Sequence, residues 1–310
     1  MESKISDTIK LTDLDNIKVK LRGILPIIKP SGITSYDCIR RLKQLFKNTK
    51  LGHAGTLDPI ASGVLLILFN EATKLAPYLL MHDKEYEATF RLGITTDTDD
   101  ITGQILKVQP VPQLSEDTLK KHLATFLGTQ KQSPPKFSAI KIRGRKSYEL
   151  ARKGISVELP QRIITIKSLE LVSFAPPLVR IRTLVTKGTY IRALVRDIGE
   201  KLNCGACLEN LVRTKISSFT IENAIPLNEI NYENVINGLI APFDALPGLP
   251  SLILTNHELK KLANGLKIKK PLPYNPNTTI RLTDEKQRVF IIAKYTEETI
   301  HPERLIYADL

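Results

Sequence analysis

The residues with chemistry to offer concentrate in the stretch Leu51 to Phe69, LGHAGTLDPIASGVLLILF, where His53 and Asp58 stand in front of a wholly apolar run. Gly52, Gly55 and Gly63 permit turns that side chains would forbid, Pro59 fixes φ directly after Asp58, and Val64 to Phe69 is aliphatic enough for a core strand. The pattern predicts a carboxylate, with His53 on the same loop, held stiffly at the mouth of a sheet. Such a carboxylate can serve as nucleophile or general base, although an Asp-Pro pair is also ordinary turn chemistry. Two further candidates lie far away in the chain. Tyr86 falls on the apolar side of the alternating run Lys84 to Leu92, and Arg192 opens a helix, the end where the macrodipole makes a cation unwelcome without a reason.

Metal and redox chemistry find less support. Cys204 and Cys207 form a C-x-x-C, but the only other cysteine is Cys38, and the five histidines (His53, His82, His122, His257, His301) lack ligand spacing. No cofactor or metal is expected, and the cysteines read as unpaired structural thiols. The Asp-rich segment Thr95 to Gly103 lacks the ligand order of a calcium loop.

The string His53-Ala54-Gly55-Thr56-Leu57-Asp58-Pro59, followed by Ala61, Gly63 and Val64, resembles the signature of the TruB family of pseudouridine synthases. Further segments resemble the same family in the same order: Lys29-Pro30-Ser31-Gly32-Ile33-Thr34-Ser35, Lys84-Glu85-Tyr86-Glu87-Ala88, Lys187-Gly188-Thr189-Tyr190-Ile191-Arg192, and Leu211 with Arg213. The likeness spans about residues 23 to 215. It implies isomerisation of the T-loop uridine of tRNA (position 55) after the base is flipped out, with Asp58 as the catalytic aspartate, nucleophile or base. It further implies that Arg192 pairs with Asp58 and keeps it charged and aimed, that Tyr86 stacks on the target base with Tyr190 beside the ring, and that Lys29 and Pro30 line the site. Leu211 would lie near the nucleotide, and His53 would help to hold the flipped state. The implied fold is an α+β pseudouridine synthase fold, with a mixed, mainly antiparallel central sheet flanked by helices and a small C-terminal β-rich PUA-like module.

The elements that must position these groups are legible in outline. Gly23 to Ile28 reads as a strand, Tyr36 to Phe46 as a helix capped by Thr34 or Ser35, and Asn70 as the cap of a helix burying Ala72, Leu75, Ala76, Leu79 and Leu80. Ser115 to Leu127 reads as a helix with Leu119, Leu123, Phe126 and Leu127 inward, ended by Gly128. Arg162 to Phe174 and Leu178 to Thr186 read as strands joined across Pro176-Pro177. The helix after Tyr190 carries Ile191, Leu194, Val195, Ile198 and Leu202 as its core stripe. Residues 1–22 read as an N-terminal extension, 23–245 as the catalytic domain, and 248–310 as the PUA-like RNA-binding module beyond the proline-marked junction Pro242 to Pro250.

Charge agrees with an RNA partner. Over 310 residues the net charge is +13, which favours an anionic partner over a neutral metabolite. Between Thr129 and Lys153 lie eight basic residues (Lys131, Lys136, Lys141, Arg143, Arg145, Lys146, Arg152 and Lys153) against one acid, Glu149. That segment reads as a mobile basic loop supplying affinity rather than chemistry, and the resemblance implies that it is the thumb that closes on RNA. No run is apolar and long enough for a membrane span and no signal peptide opens the chain, so a cytoplasmic monomer acting on the tRNA T-stem-loop, with no membrane and no guide RNA, is expected. Two rivals are an RNA-guided relative working inside a ribonucleoprotein and a tRNA-folding chaperone whose catalysis is dispensable. Ending the chain near Pro247 is expected to raise KM for whole tRNA more than it lowers kcat.

Overall fold

The computed structural model describes residues 21–138, 141–142, 144–147 and 159–309. In chain order the part of the chain up to Pro226 contributes β1 (Gly23–Lys29), β2 (Leu51–Ala54), β3 (Ala61–Phe69), β4 (Lys84–Leu92), β5 (Ile94–Thr96), β6 (Ile105–Val108), β7 (Gly128–Gln132), β8 (Lys141–Ile142) and β9 (Arg145–Lys146). It continues with β10 (Arg162–Ala175), β11 (Leu178–Val185), β12 (Ala206–Ile216), β13 (Phe219–Thr220) and β14 (Ile225–Pro226). The C-terminal part adds β15 (Ser251–Ile253), β16 (Ile268–Lys269), β17 (Thr278–Thr283), β18 (Val289–Thr296) and β19 (Thr299–Ala308). Among the described residues the α-helices include α1 (Ser35–Leu45), α2 (Ala76–Leu79), α3 (Glu116–Ala124), α4 (Ile191–Lys201), α5 (Tyr232–Gly238) and α6 (Asn256–Ala263). Among the described residues no helix is long and apolar enough to cross a membrane.

Ten strands form the central sheet, in the order β14-β1-β3-β12-β4-β11-β10-β7, with β2 on β3 and β13 on β12. Only β14 with β1 and β3 with β12 run parallel, so the sheet is mixed and mainly antiparallel. The apolar run of β3 is continuous because both of its faces are covered. Val64, Leu66 and Leu68 enter one core, while Leu65, Ile67 and Phe69 enter another beneath α1 with Cys38, Ile39 and Leu42. By contrast β4 alternates strictly, burying Lys84, Tyr86, Ala88, Phe90 and Leu92 and leaving the residues between them half-exposed. A third core joins β4 and β11 to α3 and α4.

A second, five-stranded sheet (β15-β17-β18-β19-β16) has its own core under α6. Its other face is not free. Phe290, Ile292, Ile306 and Tyr307 pack into the same cluster as Ile24, Val64, Leu66 and Leu68 of the central sheet. Arg22 pairs with Asp309 at 2.6 Å, Lys74 donates to the Leu305 and Ile306 carbonyls at 2.9 and 2.8 Å, and Arg281 donates to the Phe243 carbonyl at 2.7 Å.

Several local expectations change. Asn70 caps no helix: at φ 48° it begins a 3-10 turn over Asn70–Leu75 followed by the single α-turn of α2. Its amide instead accepts from the Lys50 N–H at 3.0 Å and donates to the Leu21 carbonyl at 2.7 Å. Leu80 and Leu127, expected inward, are exposed: Leu80 is the cap residue that ends α2, and Leu127 follows the end of α3 at Ala124. Thr34 rather than Ser35 caps α1, in a reciprocal box with Asp37. His53 lies on strand β2, paired with Ile67 of β3, and not on a loop. The three cysteines are free and buried.

Candidate active site

Asp58 sits on the turn between β2 and β3, and the residues 29–35 form the bed beneath it. The Ser35 hydroxyl accepts from the Leu57 N–H at 2.9 Å, Ser31 Oγ donates to the Ile60 carbonyl at 2.8 Å, and the Gly32 N–H donates to the Pro59 carbonyl at 2.8 Å. Lys29 is fully buried and donates to the carbonyls of Ile33 (2.7 Å), Pro30 (2.9 Å) and Pro59 (3.4 Å). Burial pushes its ammonium down to about 8. Lys29 therefore stands behind the Asp58 turn rather than on the cavity wall, and Pro30 is an exposed residue of the same bed, so neither lines the site as expected. β1 delivers Lys29 into the space under the turn, where backbone carbonyls rather than solvent satisfy its charge.

From the opposite side α4 delivers Arg192, 4% exposed, whose Nε donates to Asp58 Oδ2 at 2.9 Å. Its other nitrogens donate to the Thr98 carbonyl (2.7 Å) and the Phe137 carbonyl (3.0 Å), and Asp100 Oδ2 lies at 3.6 Å. The cation at a helix N-terminus thus has its reason: it joins the Asp58 turn, the 97–103 segment and, at Phe137, the basic segment 129–153. The aspartates of that segment fold it on itself, Asp100 accepting from Thr98 and Thr102, while Asp99 pairs with Arg196 at 3.1 Å.

The floor comes from β4 and β12. Tyr86 and Leu211 are 7% and 5% exposed and both face the cavity. Beneath them lies Arg213, fully buried, donating to the carbonyls of Gly55 (2.6 Å) and Val64 (2.8 Å) and hydrogen-bonded to Tyr86. Burial lowers its basicity. Gly55 takes φ 81°, and at Gly63, φ 101°, a Cβ would lie 2.2 Å from the Arg213 carbonyl oxygen. The glycines that looked like turn formers let β12 approach β3 closely enough to seat this arginine. Tyr190, the residue before α4, completes the wall; Gln132 clasps its backbone through both side-chain atoms, at 2.9 and 3.1 Å.

The enclosed volume is about 290 Å³ and brings together Asp58, Tyr86, Tyr190, Arg192 and Leu211. That is near the lower end for small-ligand sites, roughly 300–1,000 Å³, and suits one flat ring with its sugar. Thr56, Leu80, Lys84 and Thr189 also line it, without having been singled out for it. For Lys84 a signal existed: it shares the phase of Tyr86 on β4, a charged residue on a buried face. His53 is not on the wall; its Nδ1 is buried without a hydrogen-bond partner among the described residues, and burial together with Arg213 keeps the imidazole less basic than usual. In the basic segment 129–153, Lys131 and Lys136 are exposed, while Lys141, Arg145 and Lys146 fall on the β8–β9 hairpin. Arg143, Arg152 and Lys153 lie outside the described residues, as do positions 1–20 of the N-terminal extension.

Comparison with known proteins gives concordant matches. Residues 43–191 match the model of the TruB family pseudouridylate synthase N-terminal domain, and residues 192–246 that of the tRNA pseudouridylate synthase B C-terminal domain. A tRNA pseudouridine synthase B from Clostridium kluyveri is 44% identical over 247 residues, 80% of this chain and 85% of the relative. One from Burkholderia mallei is 40% identical over 294 residues, 92% of this chain and 97% of the relative. Among solved structures, a Cbf5-Nop10-Gar1 complex superposes with TM-score 0.72 at 22% identity, covering 92% of this chain and 85% of that one. An H/ACA RNP bound to a substrate RNA containing 2'-deoxyuridine gives TM-score 0.70 at 21% identity, covering 92% and 84%. At those identities the likeness concerns the fold.

Proposed function

Because the chain belongs to the TruB family of pseudouridine synthases, and so is an isomerase that modifies tRNA, we propose that it converts the T-loop uridine at position 55 to pseudouridine, with Asp58 as the group that acts on the ribose. The observation that carries this reading is the 2.9 Å pair of Asp58 and Arg192 on one wall of a cavity whose floor is Tyr86 and Leu211. A uracil ring lying on Tyr86 brings its sugar to Asp58. The target base must leave its stack at a cost of a few kcal/mol, and stacking on an aromatic returns roughly 1–3 kcal/mol.

Asp58 acts as nucleophile at the ribose C1′ or as base on a ribose proton. As nucleophile Asp58 bonds to C1′ while the N1–C1′ bond breaks with its electron pair on the ring, and that ester bond breaks when C5 of the turned ring attacks C1′; as base it takes a C2′ proton as the N1–C1′ bond breaks and returns it when C5 bonds to C1′. In both routes the C5 proton is then lost and N1 gains one. Reactant and product are isomers, so the net reaction consumes no redox equivalent and no water. Arg192, held by two backbone carbonyls, aims the carboxylate through its Nε, and Leu211 packs beneath the ring. We read 23–245 as the catalytic domain and 248–310 as a PUA-like module that extends the RNA footprint, with the basic segment 129–153 closing on the stem.

The reading includes independence from a guide RNA, from a partner protein and from a second copy of the chain. The test is the purified monomeric protein on an isolated T-stem-loop hairpin. Pseudouridine formed on the bare hairpin supports it; turnover that begins only once a guide RNA is added would move the protein to the RNA-guided mode.

A further inference from the structure

Three cations and one carboxylate face or underlie the cavity, and the mechanism above uses only part of that charge. Arg192 is engaged by Asp58 and two carbonyls, and Arg213 by two carbonyls and Tyr86. Lys84 remains. It lines the cavity, is 8% exposed, and begins β4 on the same face as Tyr86, two residues away, a separation of about 6–7 Å along a strand. Its Nζ donates to the carbonyls of His82 (2.6 Å) and Leu80 (3.2 Å), which takes two of the three donors of an ammonium and fixes its direction.

We propose that Lys84 is a further catalytic residue, whose remaining N–H donates to a ring carbonyl oxygen of the detached uracil and stabilises the negative charge left by breakage of the N1–C1′ bond. The inference rests on the isomerase reading. When that bond breaks, the electron pair stays on the ring and spreads from N1 onto the O2 and O4 oxygens, while C1′ becomes electron-poor. A fixed and largely buried cation stabilises that charge only as it develops, which lowers the barrier without tightening binding of the uridine. When C5 bonds to C1′ the charge is consumed, and Lys84 returns to its resting contacts with no proton transferred.

The surroundings keep this ammonium ready to lose its own charge. Arg213 on β12 and Lys187 before α4 repel it, Asp83 on the preceding turn attracts it, and His82, itself less basic than usual, lies beside it. Desolvation dominates and brings it down to about 8. The donor is therefore present below that pH and lost above it.

The test is single-turnover conversion of a T-stem-loop hairpin as a function of pH by wild type, Lys84→Met, Lys84→Arg and Asp58→Asn, with hairpin affinity and melting temperature measured for each. The wild-type rate should fall as pH rises through about 8. Lys84→Met should be slower by about 10- to 100-fold near neutral pH with affinity unchanged, the size expected for one charge-assisted hydrogen bond. Lys84→Arg should keep part of the rate and carry it to higher pH, because a guanidinium does not titrate there. That shift separates Lys84 from Lys29, which also titrates near 8 behind the loop. A full rate in Lys84→Met with only a lowered melting temperature would reduce Lys84 to a tie for the Leu80–His82 turn. A loss confined to affinity and its salt dependence would make it a phosphate contact; either result overturns the proposal. Turnover by Asp58→Asn would instead bring down the reading on which it rests.

Discussion

Arg192 meets a carboxylate and two backbone carbonyls through three different nitrogens, and no ammonium can reproduce that planar set from one atom. We predict that Arg192→Lys retains the fold and loses about 10²-fold in kcat, the scale of a misplaced reacting group, measured by tritium release from 5-tritiated uridine in the hairpin. Lys29 gives a prediction in pH. Its folded value, about 8, lies below its unfolded one, so the unfolded chain binds more protons between about 8 and 10.5. Its contribution is complete above the unfolded value and is lost as pH falls through the folded one, so stability should rise with pH across that window. Denaturant melts of Lys29→Met should lack that rise relative to wild type; parallel curves would show that the ammonium is not held as described. Arg192 was legible in the sequence because a cation at a helix start violates a simple electrostatic rule. Lys84 showed only as a charge on the buried phase of β4, and neither for it nor for Lys29 does the sequence tell whether a strand lysine turns its ammonium to water, to carbonyls beneath a loop or into a cavity.

The Asp58 turn works as an element only because its neighbours fix it on three sides: the 29–35 bed below, α4 opposite, and β12 against β3. Gly63 is where the last of these is tightest. Gly63→Ala places a Cβ against the Arg213 backbone at a left-handed φ, and we predict destabilisation on the order of 3 kcal/mol in chemical unfolding, together with loss of activity. An unchanged melt would mean that β3 and β12 separate at little cost. Strands β3 and β4 could be read directly, one as a doubly buried run and the other as a strict alternation, and α4 from its apolar stripe. The register that puts Arg213 beside Gly63 could not, because parallel pairing between segments 150 residues apart is set by the packing of the whole sheet. The stretch after β3 misled for a local reason: Asn70 at positive φ turns the chain before a helix can propagate, although the spacing of Ala72, Leu75 and Leu79 is helical.

On the scale of the molecule the C-terminal sheet is part of the core as well as a candidate RNA surface. Removing residues after Pro247 would strip Phe290, Ile292, Ile306 and Tyr307 from the cluster that covers Val64, Leu66 and Leu68 of β3, the strand that carries the Asp58 turn. We therefore predict that the truncated chain melts at lower temperature and loses activity on the hairpin as well as on whole tRNA. A stable fragment altered only in KM for whole tRNA would instead return the module to a purely extending role. The proline-marked junction in the sequence predicted a boundary, and composition carried no trace that both sides share one apolar cluster. The account as a whole stands on Asp58, so its most direct test is single-turnover conversion of the T-stem-loop uridine by wild type and Asp58→Asn, each with its hairpin affinity measured. The expected result is no detectable pseudouridine from the variant, with affinity within a few-fold of wild type. Pseudouridine formed by Asp58→Asn would contradict the account.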